Sequence, residues 1–218
     1  MRIYQVRIII ECIDKRSLGR LFFWAKHRYC ESAKEGTMLL TTKRTRIEIL
    51  KPEDSHLLVS FYQQNREHLA PWEPIRAAEY YTEEYWRSAV ETHQQHFAQG
   101  TGFHFVALTP ERDQVIGVAN FTNVARGVFQ ACFLGYCISK PFEGQGYMTE
   151  ILEATIDYLF TEQKLHRIMA TYIPHNQASE RVLAKLHFER EGYAKRYLKI
   201  AGQWQDHIMT SKINPLVE

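Results

Sequence analysis

The sequence of 218 residues is poor in cysteine, with four residues and no C-x-x-C pair. So few cysteines argue against a disulfide scaffold or a zinc ribbon and indicate a reducing compartment. No run of about 18 apolar residues is present, as a transmembrane helix would require. Arg7 and Glu11 interrupt the N-terminal apolar stretch, which therefore lacks the pattern of a secretory signal peptide. These absences predict a cytoplasmic protein without a membrane partner.

Strong charge of either sign is also lacking, because the formal net charge is only +2. Residues 1–37 carry eight Lys/Arg and four Asp/Glu, whereas residues 38–218 carry 19 basic and 21 acidic residues. A slightly acidic body is not expected to bind DNA directly. We interpret residues 1–37 as a basic extension that is disordered, an artefact of a start site upstream of Met38, or an arm that contacts RNA. Residues 38–218 are expected to form the main domain.

Two well-known phosphate-binding motifs are missing from the glycine-rich segment E-G-Q-G-Y-M at residues 143–148. A P-loop would end in Gly-Lys-Ser/Thr, and a dinucleotide fingerprint needs a third glycine where Thr149 stands. Apolar or small residues with a 3.6-residue period follow the second glycine, so a helix is expected to begin near Gly146. Its first-turn amides, which lack carbonyl partners, would form an anion-binding site.

The remaining patterns predict the element order β-α-α-β-β-β-α-β-α-β-β. The predicted strands are residues 46–50, 103–108, 115–123, 129–138, 167–173, 192–200 and 203–211, and the predicted helices begin near Pro52, Thr82, Gly146 and Asn176. Residues 65–78 are expected to be irregular. A helix between the fourth and fifth strands requires that these two strands run parallel. His93 and His96 share a helix face, but no third ligand has metal-binding spacing, so no metal site is predicted.

The loop and the element order resemble those of the GNAT acetyltransferase superfamily, whose acyl-coenzyme A loop usually reads Arg/Gln-x-x-Gly-x-Gly/Ala. A finer resemblance, to the Rim-type protein N-terminal acetyltransferases, covers residues 41–212. It is carried by HLAPWEPIR (68–76), VIGVANFTNV (115–124), HRIMATYIPHNQAS (166–179) and EGYAKRYLKIAGQWQDH (191–207). The sequence departs from the family at Glu143, Met148 and His187, where a basic or amide residue, a small residue and a glycine are usual.

The resemblance implies an α/β (α+β) GNAT fold. Its single mixed sheet would have about seven strands and about four flanking helices, and it would splay between strands 4 and 5. Acetyl-coenzyme A is the implied cosubstrate, with its pantetheine arm along residues 135–139 and an oxyanion held by the backbone N–H of Ile138. Asn176 would bind the pantetheine or phosphate arm, or would instead cap a helix. The implied pyrophosphate ligands are amides of Gly144, Gln145, Gly146, Tyr147, Met148 and Thr149.

Acetyl transfer to an amine requires a neutral nucleophile, a stabilised oxyanion and a proton for the departing thiolate. Many relatives use a tyrosine as the acid, but its position holds Leu183 here. Ser179 is therefore the predicted acid, unless it is only a helix residue that bonds a carbonyl. Glu73 is the predicted base, directly or through water, unless it is an ordinary surface-loop residue. The predicted peptide-groove residues, each of which could instead be a core or structural residue, are Trp72, Asn120, Phe121, Tyr136 and Tyr197.

The resemblance implies acetylation of a protein N-terminal α-amine, and most specifically of the N-terminal alanine of small-subunit ribosomal protein five. The partner would be that N-terminus or the small ribosomal subunit. Two alternatives remain: acetylation of a small amine such as an antibiotic or polyamine, and a ribosome-assembly factor that binds coenzyme A. The sequence gives no indication of the oligomeric state.

Overall fold

The computed structural model describes residues 39–216, so the predicted extension 1–37 lies outside the described residues. Within this range the chain forms one mixed sheet of eight strands with helices on both faces. The predicted α/β class and single mixed sheet are confirmed, with one strand more than expected. No helix in the described part of the chain is long and apolar enough to cross a membrane.

The element bounds agree with the periodicity of the sequence. The strands are β1 (Leu39–Thr41), β2 (Arg46–Glu48), β3 (Phe103–Leu108), β4 (Val115–Ala125), β5 (Ala131–Ile138), β6 (Arg167–Tyr172), β7 (Glu189–Ile200) and β8 (Gln203–Ile213). The helices are α1 (Ser55–Gln64), α2 (Arg66–Leu69), α3 (Glu83–Gln99), α4 (Tyr147–Thr161) and α5 (Gln177–Lys185). Thr82 caps α3 through its side chain, and Gly100 ends this helix in the left-handed conformation, as the sequence pattern indicates.

Two apolar clusters occupy opposite faces of the sheet. Alternation along β3 shows the division, because Phe103 and Phe105 pack on one face while Val106 and Leu108 pack on the other. The first cluster contains α4 and the apolar side of α5, and the second contains α1 and α3. Both faces of the central strands are therefore covered, and access to the middle of the sheet requires a break in strand pairing.

That break lies between β5 and β6, the one parallel pair in a strand order of β1-β2-β3-β4-β5-β6-β8-β7. The pairing runs from Ala131↔Arg167 to Leu134↔Ala170 and then stops, although β5 continues to Ile138 and stays paired with β4. The β6-facing edge of residues 135–138 consequently has no strand partner within the described chain. The predicted splay between family strands 4 and 5 is confirmed here, at β5 and β6.

Three local features differ from expectation. The three-residue strand β1 was not predicted, since so short a segment shows no periodicity. The supposedly irregular segment 65–78 contains the short helix α2 and a 3₁₀ turn at Ala70–Trp72. His187 has φ of 60° and completes a glycine-like cap of α5, in which the amide of Phe188 donates to the carbonyl of Leu183 at 3.0 Å.

Candidate active site

A cavity of about 1330 Å³ occupies the gap between β5 and β6 and extends to both faces of the sheet. Its walls include the glycine loop before α4, the free edge of β5, the start of α5 and the segment that carries Glu73. The volume exceeds the roughly 300–1,000 Å³ of most small-ligand pockets, so two reactants can be held side by side.

The glycine loop requires glycine for its backbone conformation rather than for space. Gly144 and Gly146 have φ of 75° and 81°, in the left-handed region that favours glycine. A Cβ at Gly144 would meet nothing within 4 Å, and one at Gly146 would lie 3.7 Å from Arg44 Nη2. Gly146 is the N-cap residue of α4, and no side chain within residues 39–216 caps this terminus. The first-turn amides therefore remain available to an anion.

The structure places most of the predicted cofactor-binding residues on the cavity wall. Those that line it are Ile138, Gly144, Gly146, Tyr147, Met148, Thr149 and Asn176. Gln145 does not line it, because its side-chain amide donates to the Pro141 carbonyl at 2.6 Å. The Met148 side chain is buried in the core, so this residue offers only its backbone.

A cation lies beside the glycine loop, on Arg44 in the turn between β1 and β2. Its guanidinium pairs with Glu150 at 2.7 Å, donates to the Gln145 carbonyl at 3.1 Å, and lies 3.9 Å from the centroid of the Tyr147 ring. Arg44 thus fastens β1–β2 to the first turn of α4. No local sequence pattern indicates this contact, because about a hundred residues separate the partners.

Ser179 and Tyr136 form a hydroxyl pair at the gap, with 2.7 Å between Ser179 Oγ and the phenol oxygen. Burial raises the pKa of Tyr136, so the phenol keeps its proton at neutral pH. Tyr136 was predicted as a groove residue. Its contact with Ser179 was not predicted, since it joins β5 to α5 across the break in the sheet.

Asn176 caps α5, because its side-chain oxygen accepts from the Ser179 amide at 3.0 Å. Its side-chain nitrogen has no hydrogen bond within residues 39–216, and Asn176 also lines the cavity. The two roles considered from the sequence are therefore compatible, since one atom caps the helix and the other faces the cavity as a donor.

Glu73 is not a free surface-loop residue. Its carbonyl accepts from the Ala201 amide at 2.9 Å, so the turn between β7 and β8 packs against this segment. Its carboxylate lies 3.4 Å from Arg76 Nε, and the Arg76 guanidinium lies 4.4 Å from the Tyr80 ring centroid. Burial raises the pKa of Glu73, and the charge and hydrogen bond of Arg76 only partly offset this effect.

The predicted peptide-groove residues separate into two groups. Trp72, Asn120 and Tyr197 line the cavity, and the Trp72 ring packs 5.6 Å from His175. Phe121 is fully buried on the opposite face of the sheet, so its assignment to the groove is wrong. Although the cavity reaches both faces of the sheet, Phe121 does not line it, because its ring packs edge-on against Phe105 in the first apolar cluster.

A histidine cluster that sequence reasoning missed lines the cavity beside Asn120. The rings of His93 and His104 stack at 3.7 Å, and His104 Nδ1 donates to the Asn120 side-chain oxygen at 3.1 Å. Burial lowers the pKa of His93 to about 3 and also lowers the pKa of His104. Both imidazoles are consequently neutral at pH 7. No group of three His, Cys, Asp or Glu within residues 39–216 could hold a metal ion.

The half-buried His93 should make the free energy of unfolding depend on pH. Its pKa falls from 6.5 to about 3 on folding, so the unfolded chain binds more protons below pH 6.5 and stability decreases as pH drops. Between pH 7 and 5 this contributes a loss of about 2 kcal/mol. His93→Phe keeps a ring for stacking and should remove most of that loss, as measured by urea unfolding at both pH values. An equally steep pH dependence in His93→Phe and wild type would contradict this assignment.

Comparison with known proteins agrees with this geometry. Residues 44–189 match the acetyltransferase (GNAT) domain family. The chain is 44% identical over 176 residues to the [ribosomal protein uS5]-alanine N-acetyltransferase of Escherichia coli K12, covering 81% of this chain and 91% of that protein. It is 35% identical over 177 residues to the probable N-acetyltransferase YjcK of Bacillus subtilis, covering 81% and 98%.

Solved structures give the same result. The ribosomal-protein-S5-alanine acetyltransferase of Vibrio fischeri has a TM-score of 0.79 and 38% identity, covering 82% of this chain and 97% of that one. RimJ of Mycobacterium smegmatis, in complex with CoA-disulfide, has a TM-score of 0.75 and 26% identity, covering 83% and 88%. On the family match and these relatives, the chain belongs to the GNAT acetyltransferase family.

Proposed function

We propose that this protein transfers the acetyl group of acetyl-coenzyme A to the N-terminal α-amine of a ribosomal protein, and specifically to the N-terminal alanine of uS5. The observation that carries the proposal is the cavity that joins the glycine loop, the Tyr136–Ser179 pair and Glu73. The uS5-alanine N-acetyltransferase activity named for the 44% identical relative supports this substrate. The partner is then a ribosomal protein N-terminus, free or on the small subunit, and the site of action is the cytoplasm.

The residues present fit acetyl-coenzyme A. Two left-handed glycines and the uncapped start of α4 provide amides for the pyrophosphate. The unpaired edge of residues 135–138 can bond an extended pantetheine arm as a further strand would. Asn176 adds a side-chain donor on the same wall. When bound, the cosubstrate supplies the activated acetyl thioester, and the remaining steps depend on groups of this chain.

Four groups of the chain then have distinct roles. Glu73 accepts a proton from the incoming ammonium, which frees the nitrogen lone pair to form the new C–N bond. The Ile138 amide stabilises the negative charge that develops on the carbonyl oxygen. Ser179 donates its proton to the sulfur as the C–S bond breaks and is reprotonated by the second proton that the acceptor nitrogen loses, while the neutral Tyr136 phenol holds Ser179 in position through their hydrogen bond. Overall one ammonium and one thioester give one amide, one thiol and one released proton.

The weak base is consistent with an α-amine acceptor. An N-terminal amine has a pKa of about 7.7–8.0, so roughly 10–20% is neutral at pH 7, whereas well under ~0.1% of a lysine amine is neutral. Glu73 already pairs with Arg76, so the site offers limited help in removing a proton. An acceptor that is easily deprotonated is therefore favoured.

The acceptor can be tested with synthetic peptides. A peptide that opens with a free alanine should be acetylated much faster than its Nα-blocked form containing a lysine, because the pKa difference of about 2.5 units corresponds to about 3.4 kcal/mol. Acetylation is measured by mass spectrometry, with peptides that open with other residues as the comparison for alanine. Comparable acetylation of the blocked peptide would contradict N-terminal transfer.

The acid can be tested at the hydroxyl pair. Ser179→Ala should lower kcat by about 10²–10⁴, the range typical of general acid catalysis, and Tyr136→Phe should lower it less. Calorimetry should find nearly unchanged affinity for coenzyme A in both variants. Ser60→Ala, which removes an exposed hydroxyl from α1, is the matched control. A loss smaller than about fivefold in Ser179→Ala would mean that the serine is not the acid.

The base can be tested through the pH profile. Glu73→Gln should slow transfer most near and below pH 7, where the acceptor amine is mainly protonated, and least near pH 9, where it is mainly neutral. Glu67→Gln removes an exposed carboxylate from the neighbouring helix α2 and should leave the profile unchanged. A uniform loss at all pH values would instead indicate a structural role for Glu73.

A further inference from the structure

The cations next to the glycine loop are already neutralised. Lys140 Nζ lies 3.0 Å from a carboxylate oxygen of Glu143, and Arg44 pairs with Glu150. Helix α4 contributes only the partial positive charge of its amino terminus. The loop can therefore hold one anionic group through its amides but has little further charge for a second.

A different pair of cations lines the same cavity from α5. Arg181 and Lys185 are four residues apart, so their side chains are neighbours on one face of the helix. Both residues are exposed, and neither forms an ion pair within residues 39–216. The carboxylates on the cavity wall, Glu73 and Glu143, already have the partners Arg76 and Lys140.

This arrangement carries an energetic cost when nothing is bound. Like charges four residues apart on a helix repel each other and oppose helix formation. Lys185 lies in the last turn of α5, where the helix dipole favours a cation, but Arg181 is in the middle and gains little from it. A bound dianion facing both side chains would attract both cations and offset the repulsion between them.

The proposed cosubstrate has such a dianion. Coenzyme A carries a pyrophosphate and, separately, a phosphate monoester on its ribose 3′ oxygen, which holds a charge of about −1.5 to −2 at pH 7. The amides before α4 suit the pyrophosphate, and the monoester then requires its own cations. Building on the proposed function, we infer that Arg181 and Lys185 bind the 3′-phosphate and make the protein prefer coenzyme A to 3′-dephospho-coenzyme A.

The size of the preference follows from exposure. Pairs between exposed charges contribute little, although hydrogen bonds from a guanidinium to phosphate are stronger than neutral ones. We expect each cation to contribute about two- to fivefold in affinity. Because both side chains are exposed, the preference should also shrink as salt concentration rises.

The experiment is calorimetric titration with coenzyme A and with 3′-dephospho-coenzyme A, which needs no acceptor and no turnover. Arg181→Gln and Lys185→Gln should each weaken binding of coenzyme A and leave binding of the dephospho form unchanged, so that the ratio of the two dissociation constants approaches one. Arg181→Lys should keep most of the preference. Arg87→Gln is the matched control, since it removes an exposed cation from α3 on the opposite face of the sheet.

Three outcomes would overturn the inference. One is a wild-type protein that binds both compounds equally well, and another is a variant that loses affinity for both compounds by the same factor. The third is that Arg87→Gln reduces the preference for coenzyme A over 3′-dephospho-coenzyme A as much as Arg181→Gln does. If wild type binds neither compound, the proposed acetyl-coenzyme A site itself fails, and that result is distinct from the other three.

Discussion

The end of pairing between β5 and β6 is the constraint on which the rest of the site depends. Parallel strands deliver the helices that follow them to the same edge of a sheet. Helices α4 and α5 therefore both begin beside the gap, one after two left-handed glycines and the other after Asn176. Continued pairing beyond Leu134↔Ala170 would consume the backbone groups of residues 135–138 and close the passage through the sheet.

The gap between β5 and β6 also brings together reactive side chains from both faces of the sheet. Alternation along β5 directs Tyr136 towards α4 and α5, where it meets Ser179, and directs Cys137 towards α1 and α3. Glu73 lies on the side of α1 and α3. Burial is the main reason that the pKa of Cys137 is raised, and the nearby charge of Glu73 raises it further. In the proposed reaction, the base Glu73 and the acid Ser179 thus lie on opposite sides of β5. The base therefore does not take the proton of the acid.

The fold could be predicted from sequence wherever a helix or strand was long enough to show a clear period of apolar residues. Helices α3 and α4 and the strand β4 were located correctly because apolar spacing and glycine or threonine caps agree there. The strand β1 and the helix α2 are only three and four residues long and have no readable period. The site was less predictable, since its contacts join distant segments. Period-two alternation places Phe121 on the opposite face of β4 from Asn120, but no local signal links Tyr136 to Ser179.

The composition of the cavity bears on the acceptor it can receive. His93 and His104 are neutral at pH 7 and Tyr136 keeps its proton, so these groups neither repel nor strongly attract an ammonium. Glu73 is the proposed base, and its carboxylate pairs with Arg76. An incoming ammonium must therefore compete with a guanidinium for the base. That competition disfavours an amine with a high pKa, because such an amine is almost fully protonated at pH 7 and must transfer its proton to a carboxylate that is already paired. An N-terminal amine has a pKa close to the ambient pH and is partly neutral without this transfer.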